Sequence, residues 1–518
     1  MGCAGKVDSR EGRVSLRERS RLGPRADHGR GGGRAISERY DLVVVGAGPA
    51  GEKGAAQAAY FGKRVAVVDR LSHPGGAPVA FTGIPTKTLR ETALYVTGFR
   101  NRDVYGLSLE LDPELVLQRL MARKSEVAST MARAVDENLK RHGIRYIQGE
   151  ATIGPGRSVR VAVDGGELSL EAEIVLIASG SRPLRPPTVP FDDPDVHDSE
   201  EVLQIRRIPG TMVVVGGGPV GCEYASIFTA LGAEVTLLDA ADRILPFMDQ
   251  EISRLLAETF ERMGMRVLLG SGVATIERSE EGLQVRVESG EVIQPEQVLF
   301  AAGRSGNTEG LGLEELGVQL DARGRVKVDE TFRTIAEGIY AAGDVIGPPA
   351  LASVSMEQGR VAVCHAFGIP FKETVDPLPP FAVYSIPEAA MVGLTEEAAR
   401  AQGVDHEVGR GWFAGNTKAT ISGFTEGLVK LVFRRDDRAL LGAHILGDGA
   451  SELIHTGQAV IHAGGTIDRF IHTTFCAPTM SEAYKYAAYD GLQRLSGRSI
   501  GRVADHLHRD GTSLGGPA

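Results

Sequence analysis

Two short glycine runs carry the strongest chemical signal in this chain: Gly46-Ala47-Gly48-Pro49-Ala50-Gly51 and Gly216-Gly217-Gly218-Pro219-Val220-Gly221 both read G-x-G-x-x-G. In such a run the first glycine permits a tight strand-to-helix turn and the second lets backbone amides approach a pyrophosphate. The third lets helix and strand pack closely, and the helix N-terminus faces the anion. A lone fingerprint says little. Each of these, however, has an acid 23 residues after its first glycine, Asp69 and Asp239, positioned to bond a ribose 2′-hydroxyl. A carboxylate at Asp239 also repels a 2′-phosphate. Ala240 and Ala241 follow it, and only Arg243 is near enough in sequence to offer a phosphate contact. The second site therefore favours NAD(H) and leaves NADP(H) open. Sulfur chemistry has little support: Cys3, Cys222, Cys364 and Cys476 are far apart with no C-x-x-C pair. That is the usage of unbridged thiols in a reducing compartment, and no metal site is expected.

The elements that must position these loops are legible beside them. An apolar run at 42–45 ends in Gly46, helix-compatible residues 49–60 follow, and 65–68 form a second buried strand, a βαβ opening. The same order returns 170 residues later, with a strand at 212–215, a helix through 224–230 and a strand at 235–238. An internal duplication is the simple reading. The last third changes character. Residues 381–393, 427–433 and 440–446 read as strands, and helices are expected near 451–463 and 479–495. The fold class is α/β, with two Rossmann-like dinucleotide-binding domains and a C-terminal α+β module.

Composition bounds the rest. At 518 residues the chain is too long for one core, and roughly 150 residues per domain suggests about three domains. The content of 42% apolar and 24% charged residues is that of a soluble globular protein. A net charge of −10 gives no support for nucleic-acid binding. No apolar run reaches the ~18 residues of a membrane span, and no apolar signal-peptide region follows the start, so a cytoplasmic protein is expected. Residues 1–39 hold ten Lys or Arg against five acids, and read as a disordered tail. A transit peptide and a start assigned too early are the alternatives; the acids speak against the former. Residues 496–518 are polar and Gly-rich, and a loose tail is expected.

From Tyr40 to about Leu495 the chain resembles the class I pyridine nucleotide-disulfide oxidoreductase flavoproteins, and within them the members that exchange hydride between nicotinamide nucleotides. Five stretches carry the likeness: GIPTKTLRETALY from Gly83, GCEYASIF from Gly221, AAGRSGNT from Ala301, IYAAGDVIGPPALAS from Ile339 and TTFCAPTMSEAYKYAA from Thr473. The resemblance implies that the first fingerprint, Gly46, Gly48 and Gly51, binds FAD with Asp69 on its adenosine ribose, and that Gly76, Gly180, Gly303, Gly343, Asp344 and Ala352 are further cofactor-binding residues. Asp344 would lie on the ribityl or phosphate side. Gly216, Gly218, Gly221 and Asp239 would hold NAD(H) or NADP(H). The implied layout is an FAD domain at 40–183 and 303–374, split by an NAD(P) domain at 184–302 and followed by a dimerisation domain at 375–497, with loose ends at 1–39 and 498–518. Residues 178–183 and 302–304 would be the strand ends that cross between domains. Lys87 and Glu223 match a family pair beside the flavin, where an ammonium stabilises arriving negative charge and a carboxylate orients it.

The chain departs from that family at the reacting groups. The two redox cysteine positions fall on Pro78 and Gly83, and no other cysteine lies between Ala4 and Gly221. A dithiol relay needs one thiolate to attack and another to resolve, so disulfide reduction is closed. The family's general-base histidine is Ala477, before Pro478-Thr479, and its partner Glu482 is left alone. His444, His455, His462 and His472 read as surface or packed residues, and Cys476 as a buried small side chain. What remains is hydride transfer between NADPH and NAD through FAD by ping-pong exchange, with Lys87 and Glu223 as the catalytic pair. The alternatives are an NAD(P)H dehydrogenase passing electrons to a quinone or dye, and a non-catalytic nucleotide sensor. The expected partners are nicotinamide nucleotides and a second copy of the chain, in a homodimer or higher homo-oligomer whose Pro478 and Thr479 approach the partner's flavin.

Overall fold

The computed structural model describes residues 38–98, 106 and 112–497. Both tails expected from composition lie outside the described residues, apart from Glu38 and Arg39 at one end and Ser496 and Gly497 at the other. Glu38 and Arg39 belong to the first strand, Glu38–Val45, where Glu38 pairs with Arg145. The strand thus includes two residues before Tyr40, because a polar start to a strand is invisible to an apolar-run criterion.

The strand Glu38–Val45 is flanked in parallel by Val65–Asp69 and Gly166–Ile177, and Arg145–Gln148 extends the sheet. Leu42, Val43 and Val44 are fully buried, as expected of parallel strands covered on both faces. Strand Ile339–Ala341 joins the far side of Gly166–Ile177, so the chain returns to this sheet after building another. Helices Pro49–Tyr60 and Ala352–Ala366 cross where Gly54 meets Gly359: a Cβ on Gly54 would lie 3.1 Å from the Gly359 carbonyl oxygen.

The second sheet is wholly parallel, in the order Arg266–Leu269, Glu234–Asp239, Thr211–Val215, Gln297–Phe300, Val196–Asp198. Two crossings connect it to the first, and they meet: Ser181–Pro183 pairs antiparallel with Arg304–Gly306. The last third is a five-stranded antiparallel sheet. One face packs Val429, Leu431, Phe433 and Ile445 against helices Ala450–His462 and Glu482–Leu495. Its other face offers Leu428, Leu446 and Val383 to the core of the second sheet's helices.

Two expectations need correction here. Residues 381–393 are not one strand but two, Phe381–Val383 and Ala389–Gly393, hairpinned around a turn. The strand His406–Trp412 was not anticipated; Gly409 and Gly411 sit under the Glu482–Leu495 helix, where a Cβ would strike the carbonyls of Ala487 and Ala483. A strand that offers glycine to its neighbour shows no apolar alternation.

Candidate active site

The two glycine loops are built alike. Gly46 has φ +106° and Gly216 φ +115°, and a Cβ on either would run into the chain, at the Ala178 and Ala301 carbonyls. A Cβ on Gly51 would collide with the Gly46 carbonyl, and one on Gly221 with the Gly216 carbonyl. The protein itself thus demands the first and third glycines. The second is different. Gly48 and Gly218 have φ of −70° and −75°, open to any residue. A Cβ on Gly48 would find only the Gly76 Cα, at 3.9 Å, and one on Gly218 nothing within 4 Å. No demand of the fold explains glycine there; a ligand backbone lying against the helix N-terminus does. The residues present therefore fit a dinucleotide pyrophosphate at each loop.

The two acids end the strands Val65–Asp69 and Glu234–Asp239 and face the glycine loops. Asp69 accepts from the Ala47 amide at 2.6 Å and the Leu71 amide at 2.9 Å. Burial pushes its carboxyl above the usual range, against the pull of those amides. Asp239 accepts from the Gly217 amide and, at 2.7 Å, from the Ala241 amide. Arg243 is turned to the Pro246 carbonyl at 2.7 Å.

Around the first loop the chain closes further. The Gly75 amide bonds the Ala47 carbonyl at 3.0 Å, and Gly76, at φ +63°, lies against Gly48. A cavity of about 250 Å³ opens beside Gly46 and Asp69, with Arg70, Arg182 and Glu309 on its wall. Gly180 has φ +72° and its carbonyl accepts from the Asn307 amide; Gly303, at φ +139° with its carbonyl accepting from Leu184, follows the residues Ala301 and Ala302 that border the second loop at Gly216. Gly343, at φ +83°, donates its amide to Gln358 at 2.8 Å. Asp344 accepts from Ser181 Oγ at 3.0 Å, and Ser181 Oγ in turn accepts from Arg304 Nε at 2.8 Å. Ala352 opens a helix whose first turn has no side-chain cap, leaving amides free for an anion. Glu309 was not singled out from sequence, and Ser181, Arg182 and Arg304 were read only as parts of the strand ends that cross between domains.

Lys87 and Glu223, 136 residues apart, are brought together: Lys87 Nζ lies 2.8 Å from Oε1 and 2.7 Å from Oε2 of Glu223. Glu223 is buried and Lys87 about one-third exposed. Lys87 stands on helix Gly83–Thr97 and Glu223 on helix Pro219–Ala230, so the pair fastens the two nucleotide-binding units to each other. The Tyr384 amide donates to Glu223 Oε1 at 3.0 Å, and the Tyr384 ring lies 4.9 Å from Lys87 Nζ. Sequence gave no signal for Tyr384, because its partners come from two distant elements.

Pro78 and Gly83, the positions the resemblance assigns to redox cysteines, lie side by side. A Cβ on Gly83 would lie 3.6 Å from Pro78 Cβ, within the roughly 3.5–4.5 Å of a disulfide. One expectation fails nearby: Cys476 is exposed, as is the stretch 472–478 apart from half-buried Phe475. Glu482 accepts from the Thr479 amide at 3.2 Å, at its helix start. Of the four histidines, His444 is fully buried and bonds the Leu394 carbonyl at 2.9 Å, His455 and His472 are on the surface, and His462 pairs with Asp376 at 3.1 Å. Cys222 and Cys364 are buried, and no cluster of metal-binding side chains occurs among the described residues. No helix among them is long and apolar enough to cross a membrane.

Comparison with known proteins agrees with this architecture. The family model for pyridine nucleotide-disulphide oxidoreductase matches residues 40–359, and the model for that family's dimerisation domain matches 379–488. The soluble pyridine nucleotide transhydrogenase of Mycobacterium tuberculosis (strain ATCC 25177 / H37Ra) is 38% identical over 458 residues, 88% of this chain and 98% of the relative. The protein of the same name from Marinomonas sp. (strain MWYL1) is 37% identical over 463 residues, 89% and 99% respectively. Among solved structures, LpdA from Mycobacterium tuberculosis superposes with a TM-score of 0.78 at 30% identity, covering 87% of this chain and 99% of its own. The flavoprotein disulfide reductase RclA from Escherichia coli gives 0.78 at 29% identity with the same coverage.

Proposed function

The chain belongs to the pyridine nucleotide-disulphide oxidoreductase family of FAD-dependent enzymes, and on that premise we propose that it transfers hydride between NADPH and NAD, one nucleotide replacing the other at a single site. One observation carries the reading: Lys87 and Glu223 are joined as a charge pair, while Pro78, Gly83 and Ala477 offer neither thiolate nor base. Bound FAD supplies the hydride acceptor and donor between the two nucleotides. The chain's own part is binding and electrostatics. The first fingerprint, with Asp69, Gly76, Gly180, Gly343, Asp344 and Ala352, holds the resident dinucleotide. Gly216, Gly218, Gly221, Asp239 and Gly303 hold each visiting nucleotide in turn. Lys87, fixed by Glu223, presents a positive charge where negative charge arrives. Hydride exchange needs positioning and little acid-base help, so a site without a dyad suffices.

Asp239 favours a second reading, in which NADH is the donor and a quinone or dye the acceptor, because a carboxylate repels a 2′-phosphate. Thio-NAD reduction by NADPH decides between them. Exchange supports the first reading; flavin bleaching by NADH alone, with reoxidation by quinone and no exchange, overturns it.

The dimerisation-domain match and the exposed run 472–478 support a homodimer or higher homo-oligomer. A monomer on gel filtration that still turned over would contradict it.

A further inference from the structure

The turn that splits residues 381–393 into two strands touches both helices of the charge pair, and it does so twice on each. On helix Gly83–Thr97, Lys87 and Arg90 are three residues apart and share a face. On helix Pro219–Ala230, Glu223 and Ser226 have the same spacing. Tyr384 meets the first member of each couple, with its ring 4.9 Å from Lys87 Nζ and its amide 3.0 Å from Glu223 Oε1. The next two residues meet the second members: the Ser385 carbonyl accepts from Arg90 Nε at 3.0 Å, and the Ile386 amide donates to Ser226 Oγ at 3.1 Å. Arg90 is almost fully buried and also faces Glu388 Oε1 at 3.2 Å. Glu388 Oε2 accepts from the Ser451 amide at 3.0 Å and hydroxyl at 2.8 Å, which anchors the turn in the C-terminal module.

From this geometry we infer that Tyr384 is a positioning residue of the site: its ring holds the Lys87 ammonium against Glu223 and shields it from water. The inference rests on the reading of Lys87 and Glu223 given above. Glu223 fixes the ammonium from one side, and without the ring a side chain one-third exposed has rotamers that lead into solvent. A cation over an aromatic face is held by the ring quadrupole, an interaction of the face and not of the hydroxyl. The backbone contacts at Ser385 and Ile386 do not depend on the Tyr384 side chain, so they keep the turn in place when the ring is changed. An ammonium released toward water stabilises arriving negative charge less well. The C-terminal module thereby acts on the electron-accepting power of a cofactor bound by the first unit.

Tyr384→Phe, Tyr384→Leu and Tyr384→Met separate ring from hydroxyl. The measurements, both on the FAD-bound protein, are the acetylation rate of Lys87, followed by peptide mass spectrometry, and the midpoint potential of the FAD. Tyr384→Phe is expected to match wild type in both. Tyr384→Leu is expected to acetylate Lys87 about three-fold faster and to have a more negative potential. Tyr384→Met serves the same end if the leucine variant does not fold. Equal acetylation rates in wild type and the aliphatic variants, or an unchanged potential, overturn the inference. Neither readout needs NADPH or NAD, so a failure of nucleotide exchange in wild type would remove the proposed reaction and leave this test standing.

Discussion

The two dinucleotide units can be laid over each other at an offset of 170 residues, and the correspondence runs past the glycines: Gly46 with Gly216, Gly51 with Gly221, Asp69 with Asp239, Gly75 with Leu245. Even a loop contact repeats, Gly75 amide to Ala47 carbonyl at 3.0 Å and Leu245 amide to Gly217 carbonyl at 2.9 Å. The units part at the next residue. Gly76 turns back onto Gly48, and the chain then adds residues 179–182, 307–311 and 343–352 around the first loop. In the second unit that place is Pro246, and Gly218 faces open space. On the proposed reading one device serves two ends: the first unit encloses a ligand it keeps, and the second leaves a face open to ligands that must leave.

The comparison breaks most visibly at the glycines. In either unit a valine at the third glycine, Gly51→Val or Gly221→Val, drives a Cβ into a backbone carbonyl that cannot move. Little folded protein is expected from expression followed by gel filtration. At the second glycine the units should respond differently. Gly218→Val is expected to keep its FAD and its melting temperature while losing nucleotide affinity, and Gly48→Val to fold but elute without yellow colour. A Gly218→Val protein that failed to fold would show that the second glycine serves the chain after all.

Next in size is the anchor of the second unit. Lys430 is fully buried and reaches Asp249 at 2.9 Å, Glu251 at 3.0 Å and Glu396 at 2.7 Å. Arg410 adds a two-point contact to Glu251. Against the cost of burial, His444 and Lys430 hold the Asp249 carboxyl below its usual range, and Arg410 and Lys430 do the same for Glu251. Lys430→Met strands buried carboxylates and should cost about 4 kcal/mol. Carboxyls depressed in the folded state stabilise it above about pH 4, and that stability is lost as pH falls through their folded values. His444, depressed by burial, acts with the same sign from about pH 6.5 downward, since the unfolded chain then takes up a proton that the folded chain does not. Wild-type melting temperature should therefore fall with acid, and its lead over Lys430→Met should shrink as the stranded carboxylates protonate. A lead that stayed constant from pH 7 to pH 4 would remove these carboxylates as the cause.

How much of this could be read in the sequence follows from distance along the chain. The glycine loops and their acids were legible because a tight turn is a local steric demand, met by residues within a few positions. Lys87 and Glu223 were found only through resemblance, since nothing near either residue announces a partner 136 positions away. The turn at 384–388 was hidden altogether: five residues of extended-looking sequence were read as strand, although their bonds go to two helices of other units. Strand His406–Trp412 was hidden because Gly409 and Gly411 are selected by the backbone of a helix and not by an apolar core. Cys476 was misread because a small residue inside an apolar motif suggests burial, and the motif here lies on the surface.

A smaller effect sharpens the comparison inside the first unit, which alone carries the 75–83 loop. Since a Cβ at position 83 would stand at disulfide distance from that of Pro78, the double variant Pro78→Cys, Gly83→Cys should close a disulfide in air, seen as two thiols lost to thiol titration after oxidation. Closing so short a loop should add about 2 kcal/mol. Two thiols that stayed free would show that the loop does not hold these two positions at disulfide distance.

The smallest expected change bears most directly on function, because it asks whether the open unit chooses between its visitors. Asp239 accepts from two loop amides, so its carboxylate is held on the rim of the site and cannot swing away from an incoming phosphate. Two charges about 4 Å apart in water interact by about 1 kcal/mol, and a 2′-phosphate carries more than one. Asp239→Asn keeps one oxygen for these amides and removes the charge. The ratio of kcat/KM for NADPH to that for NADH should rise about tenfold, through KM and not kcat, with the flavin spectrum untouched. Asp69→Asn should leave that ratio alone and loosen FAD instead. If both ratios moved together, the two acids would not be serving separate ligands, and the division between a closed unit and an open one would have to be drawn elsewhere than at these loops.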